Sequence, residues 1–205
     1  MTSPFPLGRA ARIAVLASGR GSNLQALLEA FGPGEPLGRV ELVVSNRASA
    51  PALDKARAAG VEALHVAHLD GRAFEEVTAR ALDAAGIDLV CLAGFMRILS
   101  PTFVRRYRGR LLNVHPSLLP AFRGLHAQRQ ALEAGVRESG CTVHFVDEGV
   151  DTGGVIVQRR VPVLAGDDEA TLAARIRAEE HRAFPEAVRK VLTGRARPPA
   201  EEVPG

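Results

Sequence analysis

Aromatic side chains make up only 4% of the 205 residues, and cysteine occurs twice. So few aromatics, with no basic stripe interleaved among them, speak against a nucleic-acid-binding surface. Cys91 lies in the apolar run DLVCLAG and Cys141 opens CTVHFV. Both read as buried thiols of a reducing compartment rather than as a disulfide. Neither has a CxxC neighbour, and His65 and His68 have no Cys or carboxylate set around them, so no metal is expected. Long apolar runs are also missing, which argues against a membrane span. The opening MTSPFPLGRAAR lacks the basic-then-apolar layout of a secretory signal, and a cytoplasmic location is expected. Charge of one sign is scarce as well: 26 basic residues face 23 acidic ones, for a net +3. That balance suits small anionic substrates, although most of the arginines read as composition and solvated helix faces.

What is present is a hydrophobic content of 46%, enough for a substantial core. One folded domain over 12–194 is expected, between a flexible N-terminal segment 1–11 and a flexible Pro-rich tail 195–205. Short apolar runs at 12–18, 40–46, 61–67 and 88–94 alternate with helical stretches at 22–31, 50–60 and 71–86. Strands without internal polar alternation, separated by helices, predict a parallel sheet covered on both faces. Beyond residue 100 the rhythm changes. A strand at 110–115, a helix at 127–135 and a half-exposed strand at 141–150 precede a partner strand at 153–163, expected antiparallel across DEGVDTGG. A helix over 168–192, with a kink at Pro185, closes the fold. The fold class is therefore α/β, a mostly parallel twisted sheet with a Rossmann-like N-terminal half and an antiparallel strand pair in the C-terminal half.

Two stretches carry chemistry. SGRGSNL (18–24) joins the first strand to the first helix, and free amides at such a helix start favour an anion, usually phosphate. It is neither a Walker loop nor a GxGxxG fingerprint, since position 24 is Leu. LLNVHPSLLP (111–120) ends a strand with Asn113 and His115 two positions apart, hence on one face. Asp151, in a glycine-flanked turn, is a candidate carboxylate for the imidazole. An amide donor, a titratable ring and an orienting carboxylate suit acyl chemistry: the first two stabilise an oxyanion and the third raises the imidazole pKa. Ser117 lacks the GxSxG surroundings of a nucleophile, so direct transfer is expected. His144 reads as structural, though its strand face toward the site stays open.

GRGSNLQALL, LAGFMRILSP, LLNVHPSLLPAFRG and GCTVHFVDEGVDTGGVI together resemble the phosphoribosylglycinamide formyltransferases. The resemblance runs from about Arg12 to Gly194 and implies the formyltransferase fold and 10-formyltetrahydrofolate as formyl donor. It implies catalytic roles for Asn113, His115 and Asp151, and ribonucleotide contacts from Gly21, Ser22, Asn23 and Glu180. Folate contacts are implied for Arg72, Met96, Arg97, Ile98, Leu99, Asn113, Asp147, Glu148 and Asp151. Its partners would be small molecules, with no nucleic acid or membrane, on a monomer or homodimer. Arg177, Gln128 and Gly154 depart from residues frequent in the family, and Gly154 is expected to loosen the folate turn. Rival readings are a methionyl-tRNA formyltransferase, expected to add a C-terminal tRNA-binding domain, and a formyltetrahydrofolate hydrolase, expected to add an N-terminal regulatory domain. A non-catalytic nucleotide-binding module would leave the Asn113, His115 and Asp151 set unexplained.

Overall fold

The computed structural model describes residues 4–67 and 71–199. Its elements run β1 (Ala11–Leu16), α1 (Ser22–Ala30), β2 (Gly38–Ser45), α2 (Pro51–Ala58), β3 (Glu62–His65), α3 (Gly71–Ala84), β4 (Leu89–Leu92) and α4 (Pro101–Arg106). They continue with β5 (Leu111–His115), α5 (Ala127–Glu133), β6 (Glu138–Phe145), β7 (Val155–Pro162) and α6 (Glu169–Leu192). All seven strands share one sheet in the order β3-β2-β1-β4-β5-β6-β7. The first five are mutually parallel, whereas β6 runs antiparallel to β5 and β7 to β6.

The chain direction reverses its march between β1 and β4, the point where open α/β sheets open a crevice beyond their strand ends. The two-residue period of β1 shows why both faces are apolar. Ile13 and Val15 join Leu24, Leu27, Phe184 and Val188 on one side. Ala14 and Leu16 join Phe74, Leu82, Phe103 and Tyr107 on the other. Thus α1 and α6 cover one face, and α3 and α4 the other. Among the described residues, no helix is long and apolar enough to cross a membrane.

Two expectations need correction. The short helix α4 was not expected, although Ser100 followed by Pro101 is a helix-start signature. The Ser100 hydroxyl accepts the Phe103 amide at 3.2 Å, and Pro101 takes the first turn. Strand β6 starts at Glu138 and ends at Phe145, and from Ser139 onward it is buried rather than half-exposed. It is an interior strand, flanked by β5 and β7 and overlaid by α6. Helix α6 begins with a capping box between Asp168 and Thr171 and continues through Pro185 as one element.

The termini are fastened where they are described. Phe5 is buried in the core beneath α6, and Ala196 packs against the same cluster. Residues 1–3 and 200–205 of the expected flexible ends, and His68, lie outside the described residues. Cys91 and Cys141 are free and buried, and burial pushes the Cys141 thiol up to about 12.

Candidate active site

Strand pairing assembles the centre of the site. Asn113 and His115 share a face of β5, and the antiparallel register sets His144 of β6 directly opposite Asn113. The amide nitrogen Nδ2 of Asn113 lies 3.2 Å from His144 Nε2 and 3.4 Å from Asp151 Oδ1. His144 Nδ1 sits 2.7 Å from the Phe145 carbonyl, an acceptor that calls for a proton on that nitrogen, while Nε2 faces both the Asn113 amide and Asp151 Oδ1, the latter at 3.5 Å. His144 is therefore a member of the cluster. The alternation of CTVHFV was its signal, but the cross-strand register that decides it was not legible.

Asp151 reaches the cluster from the turn after β6. Its backbone is left-handed at φ 52°, a conformation Asp tolerates better than most residues. Oδ2 accepts the Gly124 amide at 2.9 Å and lies 3.2 Å from His115 Nδ1. The other ring nitrogen, Nε2, is 2.8 Å from the Phe122 carbonyl. Both nitrogens of a buried imidazole thus face acceptors, a pattern that only the doubly protonated ring satisfies fully. Burial nevertheless holds the His115 pKa below its ordinary value, against upward pulls from the Phe122 carbonyl and then Asp151. The expectation that Asp151 raises the His115 pKa holds for that one contact and is corrected for the sum. Asp151 is itself held below the carboxylate range: burial raises it, but hydrogen bonds from His144 and Gly124 and the nearby His115 lower it further.

The turn carrying Asp151 organises itself. Asp147 Oδ1 accepts the Thr152 hydroxyl at 2.6 Å and the Gly149 amide at 3.1 Å. Glu148 forms an exposed ion pair with Arg105 of α4 at 2.9 Å. The side chains of Asp147 and Glu148 are therefore engaged within the protein. A Cβ at Gly153 would fall 1.9 Å from the Phe145 carbonyl oxygen, so the turn requires glycine there. At Gly154 the expected looseness is answered by Pro199, whose ring would lie 2.6 Å from an added Cβ. Ser117, already doubtful as a nucleophile, is fully buried and gives its hydroxyl to the Ala121 carbonyl at 2.5 Å.

At the other loop, Gly21 caps α1 in the left-handed region at φ 69°, and an added Cβ would meet Ala52 at 2.9 Å. No side chain caps α1 and no acid occupies its first turn. Its first amides are thus open to an anion. Asn23 is buried and donates from Nδ2 to Glu180 Oε2 at 2.8 Å, while its own Oδ1 has no partner among the described residues. Glu180, 9% exposed, is an interior carboxylate. Burial raises its pKa against the pulls of Asn23 and Arg177. A cavity of about 560 Å³ opens beside Ser22, with Lys55 and His181 in its lining.

The segment after β4 presents Met96 and Ile98 outward, 63% and 84% exposed, and tucks Leu99 inward. Arg97 lays its guanidinium over Phe74 at 4.9 Å, and its Nη1 is buried with no hydrogen-bond partner among the described residues. Ile98 and Leu99 share a groove of about 680 Å³ with Arg72 and α4. The sequence-predicted residues thus form three groups: a catalytic-type cluster, a helix-start anion site with a buried acid, and an apolar wall beside an exposed arginine.

Comparison with known proteins adds a family. Residues 11–188 match the formyl transferase family. The phosphoribosylglycinamide formyltransferase of Escherichia coli is 48% identical over 186 residues, covering 89% of this chain and 88% of that protein. The trifunctional purine biosynthetic protein adenosine-3 of Homo sapiens is 48% identical over 187 residues, 90% of this chain. The chain spans only 14–19% of the length of the trifunctional relatives it matches. The crystal structure of glycinamide ribonucleotide transformylase 1 from Symbiobacterium toebii superposes with a TM-score of 0.86 at 52% identity, covering 92% of this chain and 91% of that one.

Proposed function

Because this chain belongs to the formyl transferase family, we propose that it is an enzyme moving the formyl group of 10-formyltetrahydrofolate to the amino group of 5'-phosphoribosylglycinamide, within a single catalytic domain over 12–194. The observation that carries the reading is the cluster of Asn113, His115 and Asp151, with the uncapped start of α1, after β1 of the same sheet, for the ribonucleotide phosphate.

In this reading the substrate amine attacks the formyl carbon, and the carbonyl electrons move onto oxygen. Asn113 donates to that oxyanion, and so does the His115 imidazolium through Nε2–H, which exchanges the Phe122 carbonyl for the substrate oxygen while Nδ1 stays on Asp151. The Asn113 contacts, at 3.2 and 3.4 Å, are long enough for the developing oxygen to compete for an amide hydrogen. Negative charge forming beside His115 raises its pKa as the reaction proceeds, which offsets the effect of burial. Asp151 holds the ring at Nδ1. The attacking nitrogen loses one proton, and the departing folate nitrogen gains one through a water held at Asp151. Collapse of the tetrahedral adduct breaks the bond between carbon and folate nitrogen.

Gly21, Ser22 and Asn23 cradle the ribose phosphate with main-chain amides, and Glu180 accepts from the ribose hydroxyls. Met96, Arg97, Ile98 and Leu99 wall the folate mainly through backbone and apolar surface, while Arg72 offers charge at the groove mouth. Asp147 and Glu148 contribute through the turn they shape. The test follows the absorbance of 10-formyltetrahydrofolate, or its 5,8-dideaza analogue, with enzyme present. Loss of the formyl group only when phosphoribosylglycinamide is added is the expected result. Loss without it, with formate released, makes water the acceptor and ends this reading.

A further inference from the structure

Three loops leave the carboxyl ends of adjacent parallel strands: the anion loop after β1, the segment after β2, and the apolar wall after β4. One buried hydroxyl joins all three. Ser18, 2% exposed, is the residue from which the anion loop departs. Its Oγ donates to Asn46 Oδ1 at 2.8 Å and accepts the Met96 amide at 3.0 Å, and its own amide donates to the Gly94 carbonyl at 3.2 Å.

A hydroxyl has a single proton. Because Asn46 takes it, the remaining lone pairs are aimed at Met96, so Asn46 orients the hydroxyl and the hydroxyl holds the wall. The far end of the same wall is pinned independently, where the Ser100 amide donates to Glu75 Oε1 at 2.6 Å. The four residues from Met96 to Leu99 are therefore suspended between two anchors. Only one of these, Ser18, also belongs to the loop that leads to Gly21.

We propose that Ser18, oriented by Asn46, is a positioning residue that sets the formyl-donor wall against the ribonucleotide loop and thereby fixes the distance between amine and formyl carbon. The inference rests on the two-substrate reading above for its kinetic consequence, and on geometry alone for the coupling of the loops. Neither residue touches the reacting atoms. Their effect is on approach geometry, where a displacement of about 1 Å costs on the order of 100-fold in rate.

Ser18→Ala is expected to lower kcat by about tenfold or more while each KM moves less than about threefold, because the sites survive and their alignment does not. Asn46→Leu, which no longer accepts the Ser18 proton, is expected to reproduce the loss. Asn46→Asp keeps an acceptor and is expected to retain most of the turnover. The double variant Ser18→Ala/Asn46→Leu should be no slower than Ser18→Ala, since both changes break one relay.

A second readout needs no activity. Loss of its acceptor in Ser18→Ala, and loss of that acceptor's orientation in Asn46→Leu, should speed hydrogen exchange at the Met96 amide by about tenfold. If Ser18→Ala does not fold, Asn46→Leu against Asn46→Asp asks the same question. Unaltered kcat and unaltered Met96 exchange would overturn the proposal. So would a loss of turnover accounted for wholly by a smaller folded fraction, because Ser18 would then be structural only. A wild-type enzyme that forms no product with phosphoribosylglycinamide would instead end the functional reading, and the exchange rates would still decide whether Ser18 couples the loops.

Discussion

His115 shows how a site residue is set by opposing effects on a few atoms. Burial favours the neutral ring, while two acceptors, one at each nitrogen, favour the charged one. Asp151 is the acceptor that mutation can remove. Asp151→Asn is expected to slow transfer by roughly 100-fold and to move the His115 limb of the pH–rate profile to lower pH, since an upward pull on the ring is lost. An unmoved limb would mean that Asp151 acts on something other than His115.

Glu180 carries the opposite sign. Burial raises its pKa, so the unfolded chain ionises it more readily than the folded one. Its contribution to stability is complete below the unfolded value of 4.5 and declines as pH rises toward the folded one. Glu180→Gln keeps an oxygen for Asn23 and removes the buried charge. Thermal melts should find the variant more stable than wild type at pH 8, with the gap closing near pH 4. Its ribonucleotide affinity should drop by about tenfold as a charged acceptor becomes neutral. A gap independent of pH would contradict the burial argument. Packing against Asn23, 157 positions away, makes Glu180 interior, which its helical sequence surroundings do not reveal.

At the level of elements, the turn from β6 to β7 shows how far local sequence reaches. DEGVDTGG announced a turn through its glycines and aspartates. That Asp147 would tie Gly149 and Thr152, and that Gly153 would press against the Phe145 carbonyl, depends on the returning strand. Gly153→Ala puts a methyl 1.9 Å from that oxygen, so the turn must shift and carry Asp151 with it. Turnover is expected to fall by on the order of 100-fold, with far-ultraviolet circular dichroism unchanged and the His115 limb displaced as in Asp151→Asn. Near-normal turnover would show that the turn can adapt without moving Asp151. Helix α4 makes the complementary point. Its six residues are too few for apolar periodicity to reveal, and only its Ser-Pro start was written locally.

For the whole molecule, α6 is the element that closes the fold. Phe184 is fully buried and joins strands, α1 and the N-terminal Phe5 in one cluster. Phe184→Ala should lower unfolding free energy by about 3–5 kcal/mol, measured by denaturant titration, out of the roughly 5–15 kcal/mol typical of a domain. A loss below about 1 kcal/mol would mean that the cluster closes over the cavity without α6. By itself the sequence determined the alternation of apolar runs and helices, hence a parallel sheet with helices on both faces, and the residue types able to perform acyl transfer. These are local matters, readable because side-chain period and turn chemistry act within a few residues. Tertiary structure alone decided that His144 stands beside Asn113, that Asp151 folds back onto His115, that Glu180 is interior, and that Ser18 ties two loops. Each of these depends on contacts between residues far apart in the chain, where strand register and burial, rather than neighbouring residues, set the distance.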